Sequence, residues 1–449
     1  MRSEGLVAPT DQPDAPLPGL RDAVRSGAGS LFVARVVSGG GTLVLFVGIA
    51  RLLPLEAVGV FALAWSVSYI LATATELGYG MFAIREVAQR PDRLGRIIGG
   101  LLPVRVALLV PAVGVAAGLA IGIGRPETAP VLALATVAAT VGQLSQTGRD
   151  FLIPMRRIGL ASLLSIGENL LRLGVGILIA VATGSVMAVY LGTLLVCAAS
   201  AGLTFLLVWQ VGRPVSVANG VREWRTTLRG SAGFAVFVTV TAVYFHAHTA
   251  VAGALLPISA VALLQAPLRL FFAVEYLPEA VARWAYPDLA RRALGSGRDF
   301  SELVARAAGG LVLVGIGVAG VLLVGAPLIV PAVFGPDFAD ASLLLQIMAV
   351  GIPARYASHL YGTALSAGGD QSSRAWLAGG VTAATLVLEV VLVSLAGLTG
   401  AAASLALSAV VLSVGYVGAA RRSWSSPPAL WPLASALGFG LVASLILWQ

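Results

Sequence analysis

Polar positions in this chain come in short clusters. Between them run apolar stretches of about 20 residues, each long enough as a helix to cross a hydrocarbon core of about 30 Å. Thirteen such spans can be laid along the sequence, at roughly 30–51, 55–79, 98–122, 129–148, 158–181, 185–211, 231–254, 257–280, 305–332, 341–365, 375–397, 400–420 and 429–448. The pattern predicts an all-α polytopic membrane protein of about 13 transmembrane helices. A short repeat divides it. Leu52–Val58 (LLPLEAV) turns the first span into the second, and Leu255–Val261 (LLPISAV) turns the seventh into the eighth. Six spans separate the two copies, an even number, so both point the same way across the membrane. That predicts two six-helix lobes around a central cavity, with a C-terminal helix added. The expected organisation is a disordered cytoplasmic tail at 1–29, a first lobe at 30–211, a cytoplasmic linker at 212–230, a second lobe at 231–420, and a linker with the thirteenth helix at 421–449. Within the inter-lobe linker, VREWRTTLRG (221–230) is expected to lie along the membrane surface as a short basic amphipathic helix.

Composition supports the pattern and charge orients it. Of 449 residues, 58% are hydrophobic and 11% charged, whereas a soluble domain carries roughly 25% charged residues. Such a chain cannot cover a water-facing surface. Its 53 glycines let helices approach closely where no hydrophobic effect drives them together. All 29 basic residues are arginine. The turns after even-numbered spans hold Arg85, Arg90, Arg93 and Arg96, then Arg149, Arg156 and Arg157, then Arg213, Arg222, Arg225 and Arg229. The series continues with Arg283, Arg291, Arg292 and Arg298, then Arg374, then Arg421 and Arg422. The opposite turns hold little beyond Arg51 and Arg125. By the positive-inside bias the N-terminus is cytoplasmic and the protein belongs in the cell membrane. The net charge of +8 therefore marks cytoplasmic loops, not a nucleic-acid partner.

Several chemistries are missing. The lone cysteine, Cys197, allows no internal disulfide, and Met1–Leu20 lacks the hydrophobic centre of a cleavable signal peptide. The outer turns at 52–55, 123–128, 182–184, 255–257 and 398–399 are bare, and only 333–340 has any body. An integral-membrane glycosyltransferase would want carboxylates in its first external loop to hold a metal and act as base; here that loop is Leu52 to Leu55. No Walker sequence, Cys/His metal spacing or Ser-His-Asp set is present. The expectation is a transporter and not an enzyme, without a metal or cofactor.

The informative residues are the charges left inside the spans. A charge at the bilayer centre costs about 2.5–3.5 kcal/mol and is usually paired or faces a cavity. Glu168, Asn169 and Arg172 fall mid-span. Glu168 and Arg172 form an i,i+4 pair, either self-neutralising or an arginine held ready for an anion. Arg269 lies too deep to snorkel and is placed in the cavity, whereas Glu279 and Arg283 read as a snorkelling helix end. Arg35 and Arg105 lie in the inner halves of their spans, where snorkelling is equally open. Arg355 is deeper, with Tyr356, His359 and Tyr361 beside it. Glu389 has no evident partner. His246 and His248 stand about 200° apart on a helix, so at most one can point squarely into a cavity. They read either as hydrogen-bonded links between helices or as proton-sensitive groups in a transport path.

Asp92-Arg93-Leu94-Gly95-Arg96, in the turn after the second span, resembles the loop signature of the major facilitator superfamily, although Ala88 stands where that signature begins with glycine. This resemblance implies a carrier of a small molecule. A second resemblance covers more of the chain. Ala50–Gln89, Leu277–Arg292 (LPEAVARWAYPDLARR) and Leu328–Pro353 (LIVPAVFGPDFADASLLLQIMAVGIP) resemble the first hairpin, the loop after helix 8 and the helix 9–10 turn of polysaccharide-exporting flippases in the MATE-like (multidrug/oligosaccharidyl-lipid/polysaccharide) superfamily. It implies a translocase for cell-surface polysaccharide biosynthesis, moving a polyprenyl-diphosphate-linked oligosaccharide from the cytoplasmic to the outer leaflet by alternating access. On that reading Arg172, Arg269, Arg355, Arg35 and Arg105 line a cationic cavity suited to a diphosphate, since arginine offers bidentate donors that stay charged. Glu168, Asn169, His246, His248 and His359 support that cavity or couple it to H+ or Na+. The expected partners are the lipid-linked glycan, the bilayer and glycan-assembly enzymes. Flippases of the family carry Arg and Asp near positions 246 and 248. Two histidines stand there here, so an ion-binding role of that helix does not carry over. A multidrug exporter of the same fold would want membrane acids for cation coupling, and the surplus of deep arginine argues against it.

Overall fold

A computed structural model describes residues 28–212, 222, 224–293, 297–424, 426 and 428–447. The expectations for the tail over 1–27 and for 213–221 lie outside the described residues. Among the described residues there are helices and short 3-10 turns and no strand. In chain order the helices are α1 (Ala28–Leu52), α2 (Leu55–Glu76), α3 (Tyr79–Gln89), α4 (Leu94–Gly122), α5 (Ala129–Leu152), α6 (Ile158–Thr183), α7 (Val186–Gly212) and α8 (Trp224–Leu255). They continue with α9 (Ile258–Val274), α10 (Tyr276–Ala293), α11 (Gly297–Phe334), α12 (Ala341–Val350), α13 (Ile352–Ala367), α14 (Gln371–Ser423) and α15 (Trp431–Leu447).

Nine helices among the described residues are long and apolar enough to cross a membrane, with α2–α3 and α9–α10 each counted as one. The first, tenth and thirteenth expected spans fall on shorter apolar helices, Val36–Leu52, Ala341–Val350 and Trp431–Leu445, and the eleventh and twelfth share α14. The differences have local causes. The second span breaks at Leu77 and Gly78, both left-handed (φ 54° and 69°). The Glu76 carboxylate caps this break, accepting from the amides of Gly78 (2.8 Å) and Gly80 (2.6 Å). A Cβ on Gly78 would fall 2.4 Å from the Ala235 nitrogen on α8, so close helix approach and positive φ both require glycine there. The tenth span breaks at Gly351, where Pro353 can sit only in the first turn of a new helix. α14 bends at Gly397 (φ 60°, ψ −133°), the bare turn expected between the eleventh and twelfth spans. The surface helix expected over 221–230 is, from Trp224 onward, the first turns of α8, because nothing in WRTTLRG stops the helix from running on.

The two repeated turns share a local conformation. Pro54 (φ −58°, ψ 151°) precedes α2 and Pro257 (φ −55°, ψ 151°) precedes α9 in nearly the same backbone conformation. In the first half α5 packs against α2, α4 and α7, while α6 packs on α1 and α7. In the second, α11 and α14 both pack on α12 and α13, and α8 on α14. The halves meet chiefly where α2 lies against α8 and α9. There a Cβ on Gly59 would come 2.0 Å from the Ile258 carbonyl oxygen, so the two repeated turns touch backbone to backbone. Nearby, Phe46 of α1 and Phe334 of α11 meet edge to face at 5.9 Å.

Candidate substrate cavity and its charged residues

A cavity of about 260 Å³ opens among α1, α2, α5, α6 and α7. Ser38, Thr42, Trp65, Tyr69, Gln143 and Arg172 are among its lining residues. Its polar wall is organised around Glu168, which is buried. One carboxylate oxygen accepts from Ser145 Oγ (2.7 Å), Ser200 Oγ (2.6 Å) and the Arg149 guanidinium. The other lies 4.0 Å from Arg172 Nη1. Arg149 also donates to Ser145 Oγ (2.8 Å) and Gln146 Oε1 (2.9 Å), and Gln146 in turn donates to Asp150 (2.9 Å). Asn169 donates to Ser38 on α1 and to the Ser165 carbonyl, both at 2.8 Å. A buried carboxylate is tolerable only when so fully hydrogen-bonded.

Arg149 thus corrects the sequence reading. Expected as a loop arginine, it lies inside α5, buried, as the principal partner of Glu168. Glu168 is therefore already neutralised, and Arg172, its expected i,i+4 partner, keeps a guanidinium largely available to the cavity. Arg172 lies over the Trp65 indole, 5.5 Å from its centroid. Arg269 reaches the same indole from α9, at 5.4 Å, and also lies over Phe46 at 5.4 Å. With the Gln265 amide turned to donate to Thr249 (2.6 Å), its oxygen accepts from Arg269 Nε (3.0 Å) and Nη2 (3.2 Å). Among the described residues no carboxylate forms an ion pair with Arg269. Two cations from opposite halves of the chain therefore share one aromatic platform beside the cavity.

The other candidates lie elsewhere. Arg355 is buried and holds Glu275 through Nε (2.7 Å) and Nη2 (3.2 Å), with its guanidinium 4.6 Å from the Tyr244 centroid. That bidentate pairing neutralises it, so the expected cavity cation is a closed ion pair. His359 stands beside this pair, its Nε2 3.7 Å from Glu275, too long for a hydrogen bond. Arg105 is buried on α4, 3.8 Å from Glu76 and away from the cavity. Arg35 lies on α1, and its side chain is outside the described residues. The two histidines diverge as the helical period requires: His246 packs its ring 4.4 Å from that of Tyr69 on α2. His248 is buried, with Nδ1 2.6 Å from Glu389 Oε2 on α14. Glu389, which the sequence left without a partner, is the acid that holds His248, and its other oxygen has no hydrogen-bond partner.

Residues 24–283 match the profile of the polysaccharide biosynthesis protein family. The chain belongs to that family. No curated individual protein matches it. Among solved structures it is similar to the lipid II flippase MurJ in an inward closed conformation, at 13% identity over 94% of this chain and 91% of that one, with a TM-score of 0.67. It is also similar to an inward-facing multidrug resistance MATE transporter of the MOP superfamily, at 13% identity over 94% and 98% of the two chains, with a TM-score of 0.62. The outward-facing form of such a transporter gives 15% identity, coverage of 93% and 96%, and a TM-score of 0.51. The MATE-like fold expected from Ala50–Gln89, Leu277–Arg292 and Leu328–Pro353 is the fold observed, and the facilitator resemblance at Asp92–Arg96 is a local one.

Proposed function

We propose that this family member is a flippase that carries a polyprenyl-diphosphate-linked oligosaccharide from the cytoplasmic to the outer leaflet by alternating access. The observation that carries the proposal is the pair of guanidiniums, Arg172 and Arg269, on one indole at the edge of the cavity. Their separation cannot exceed the sum of the two ring distances, so one diphosphate with its first sugar can engage both. The anion takes bidentate hydrogen bonds from arginine, and the Trp65 face supplies a platform for the sugar. The lipid tail stays in hydrocarbon. A relative of this fold is named for flipping lipid II, and the family for polysaccharide biosynthesis. Both agree with this chemistry.

Alternation needs a closed outer side, and the only arginines of the outer turns supply contacts for one. Arg51, at the end of α1, donates from Nε to the Val333 carbonyl (2.8 Å) and from Nη2 to the Ala332 carbonyl of α11. Arg125 donates to the Leu256 carbonyl before α9. Each ties the first half to the second. Release of the head group outward requires both ties to break while the interface between α2 and α8–α9 rocks. His248–Glu389, buried between α8 and α14, is the proposed site where a proton resets the carrier. On this reading the N-terminus is cytoplasmic and no covalent chemistry is done.

The multidrug-exporter reading keeps the fold but wants an acid-lined cavity for organic cations, and here the one cavity carboxylate is already held by Arg149. The deciding experiment is flipping of a fluorescent polyprenyl-diphosphate sugar in proteoliposomes, beside efflux of an organic cation. Wild-type flipping that is lost in Arg269→Ala or Arg172→Ala, with folding intact, supports the proposal. Cation efflux without flipping sinks it.

A further inference from the structure

A second cavity of about 260 Å³ lies at the arginine-rich side of the second half, where α10, α13 and the start of α14 converge. Its lining is unlike that of the cavity beside Trp65. Arg283 and Glu279 come from α10, His359 and Thr363 from α13, and Arg374 from the first turn of α14. Arg283 bonds Glu279 at 2.5 Å and leaves its remaining donors outward; its side chain is 61% exposed. Arg374 donates one Nη1 bond to Ser366 (2.9 Å). His359 Nε2 has no hydrogen-bond partner among the described residues. The lining thus sets one acid, Glu279, against two arginines, while the His359 imidazole turns its Nε2 inward toward Glu275 (3.7 Å). Tyr286 (42% exposed) lines the cavity, and on the same helices Trp284 (72%) and Trp376 (82%), each within two residues of a lining arginine, are large amphipathic rings left uncovered. Exposed Trp and Tyr beside arginine mark the level of lipid head groups.

We propose that this pocket binds the phosphate head group of an anionic phospholipid from the adjoining leaflet. Arg283 and Arg374 take the phosphate oxygens, the Thr363 hydroxyl completes the donors, and Trp284 and Trp376 lie at the level of the acyl–glycerol boundary. A membrane lipid, not a soluble phosphate, is the occupant the surroundings favour, because the exposed Trp284, Tyr286 and Trp376 put these helix ends at the level of lipid head groups, where a phospholipid reaches the cavity from its own leaflet. The site also has a route inward. His359 lies 3.7 Å from Glu275, whose partner Arg355 sits on Tyr244 of α8. An occupied pocket therefore bears on the helix that packs against the first half.

The test uses the full chain in neutral detergent, titrated with short-chain phosphatidylglycerol or phosphatidylcholine and followed by native mass spectrometry. Wild type should hold phosphatidylglycerol in preference to phosphatidylcholine. Arg283→Gln and Arg374→Gln should each weaken it about fivefold, the effect of one basic residue at a charged membrane surface. Arg298→Gln, an exposed arginine outside the pocket, should leave binding unchanged. Arg283→Gln touches only an exposed pair, so it remains informative if Arg374→Gln folds poorly. Equal weakening by Arg298→Gln would reduce the site to a diffuse surface field. Unchanged binding in both pocket variants, or displacement of the lipid by glycerol phosphate at matched concentration, would overturn the proposal.

Discussion

The two halves of this chain put charge into the membrane in opposite ways. In the first half, Glu168 is shared among Arg149, Ser145 and Ser200, and Arg172 is left with a cavity in front of it. In the second half the deep acids close on basic partners, Glu275 on Arg355 with His359 alongside, and Glu389 on His248. Arg269 is the exception: it belongs to the second half by sequence but reaches Trp65 of the first. A buried ion pair holds helices in register or changes state as a unit. A cation over an aromatic ring, without an acid, remains able to bind an anion from outside. The comparison therefore separates residues that organise the protein from residues that can meet a substrate, a distinction the residue types alone do not make.

The sharpest way to break the comparison is to remove one member of a closed pair. Glu275→Ala leaves Arg355 buried without its counter-charge and should cost about 3–5 kcal/mol of stability. Thermal unfolding in detergent would show it. Glu275→Leu combined with Arg355→Leu should recover most of the loss, because both charges then leave together. If the double variant is stable but inactive in flipping, the pair does more than organise.

Arg269→Ala should have the reverse profile. Loss of one charge-assisted contact to a diphosphate, about 1.5–3 kcal/mol, lowers flipping about 10- to 100-fold while stability holds, since no carboxylate is orphaned. Arg172→Ala should act in the same direction, though Glu168 keeps Arg149. A loss of folding in Arg269→Ala would place it among the organising residues. His248→Gln belongs between the classes. With flipping driven by an imposed proton gradient, wild type should accelerate and this variant should not, while His246→Gln, which loses its tilted ring contact with Tyr69, should still respond.

How far these roles were legible follows from the range of each interaction. The repeated turns at Pro54 and Pro257 and the divergence of His246 and His248 follow from local periodicity, and both are seen in the structure. Partner choice does not. Arg355 with Glu275 is a contact 80 residues apart in sequence, and His248 with Glu389 one 141 apart, so no spacing rule reveals either. Arg149 leaves a local trace: Gln143 and Gln146 inside the expected fourth span and Arg149 and Asp150 just past its end recur at helical spacing, so α5 continues to Leu152 and carries a polar face inward. The thirteen-span reading strained where one span contains two helices, because Leu77 adopts positive φ without being glycine and gives no warning in the sequence.

The outer ties give a smaller and more specific test. If Arg51 and Arg125 only hold the halves together on one side, Arg51→Gln with Arg125→Gln should shift the population toward the outward-open form. The expected bias is about 1–2 kcal/mol, a few-fold to about 30-fold. Distances between spin labels across the outer turns would report it, and flipping should change modestly.

The smallest effect expected lies at the start of α14, the helix that carries both Arg374 and Glu389. Asp370 caps it, its carboxylate accepting from the Ser373 amide at 3.2 Å. Hydrogen bonding by Ser373 holds the Asp370 carboxyl below the ordinary aspartate range. A carboxyl depressed in the folded state adds stability above its unfolded pKa, and that stability is lost as pH falls through the folded value. Asp370→Ala should therefore cost about 1 kcal/mol near neutral pH and nothing once the acid is protonated. Its flipping rate should match wild type, because the cap fixes where α14 begins and leaves His248–Glu389 and the Trp65 platform untouched. If Asp370→Ala slowed flipping as much as Arg269→Ala does, the Asp370 cap could not be a purely structural contact. The start of α14 would then belong to the moving parts.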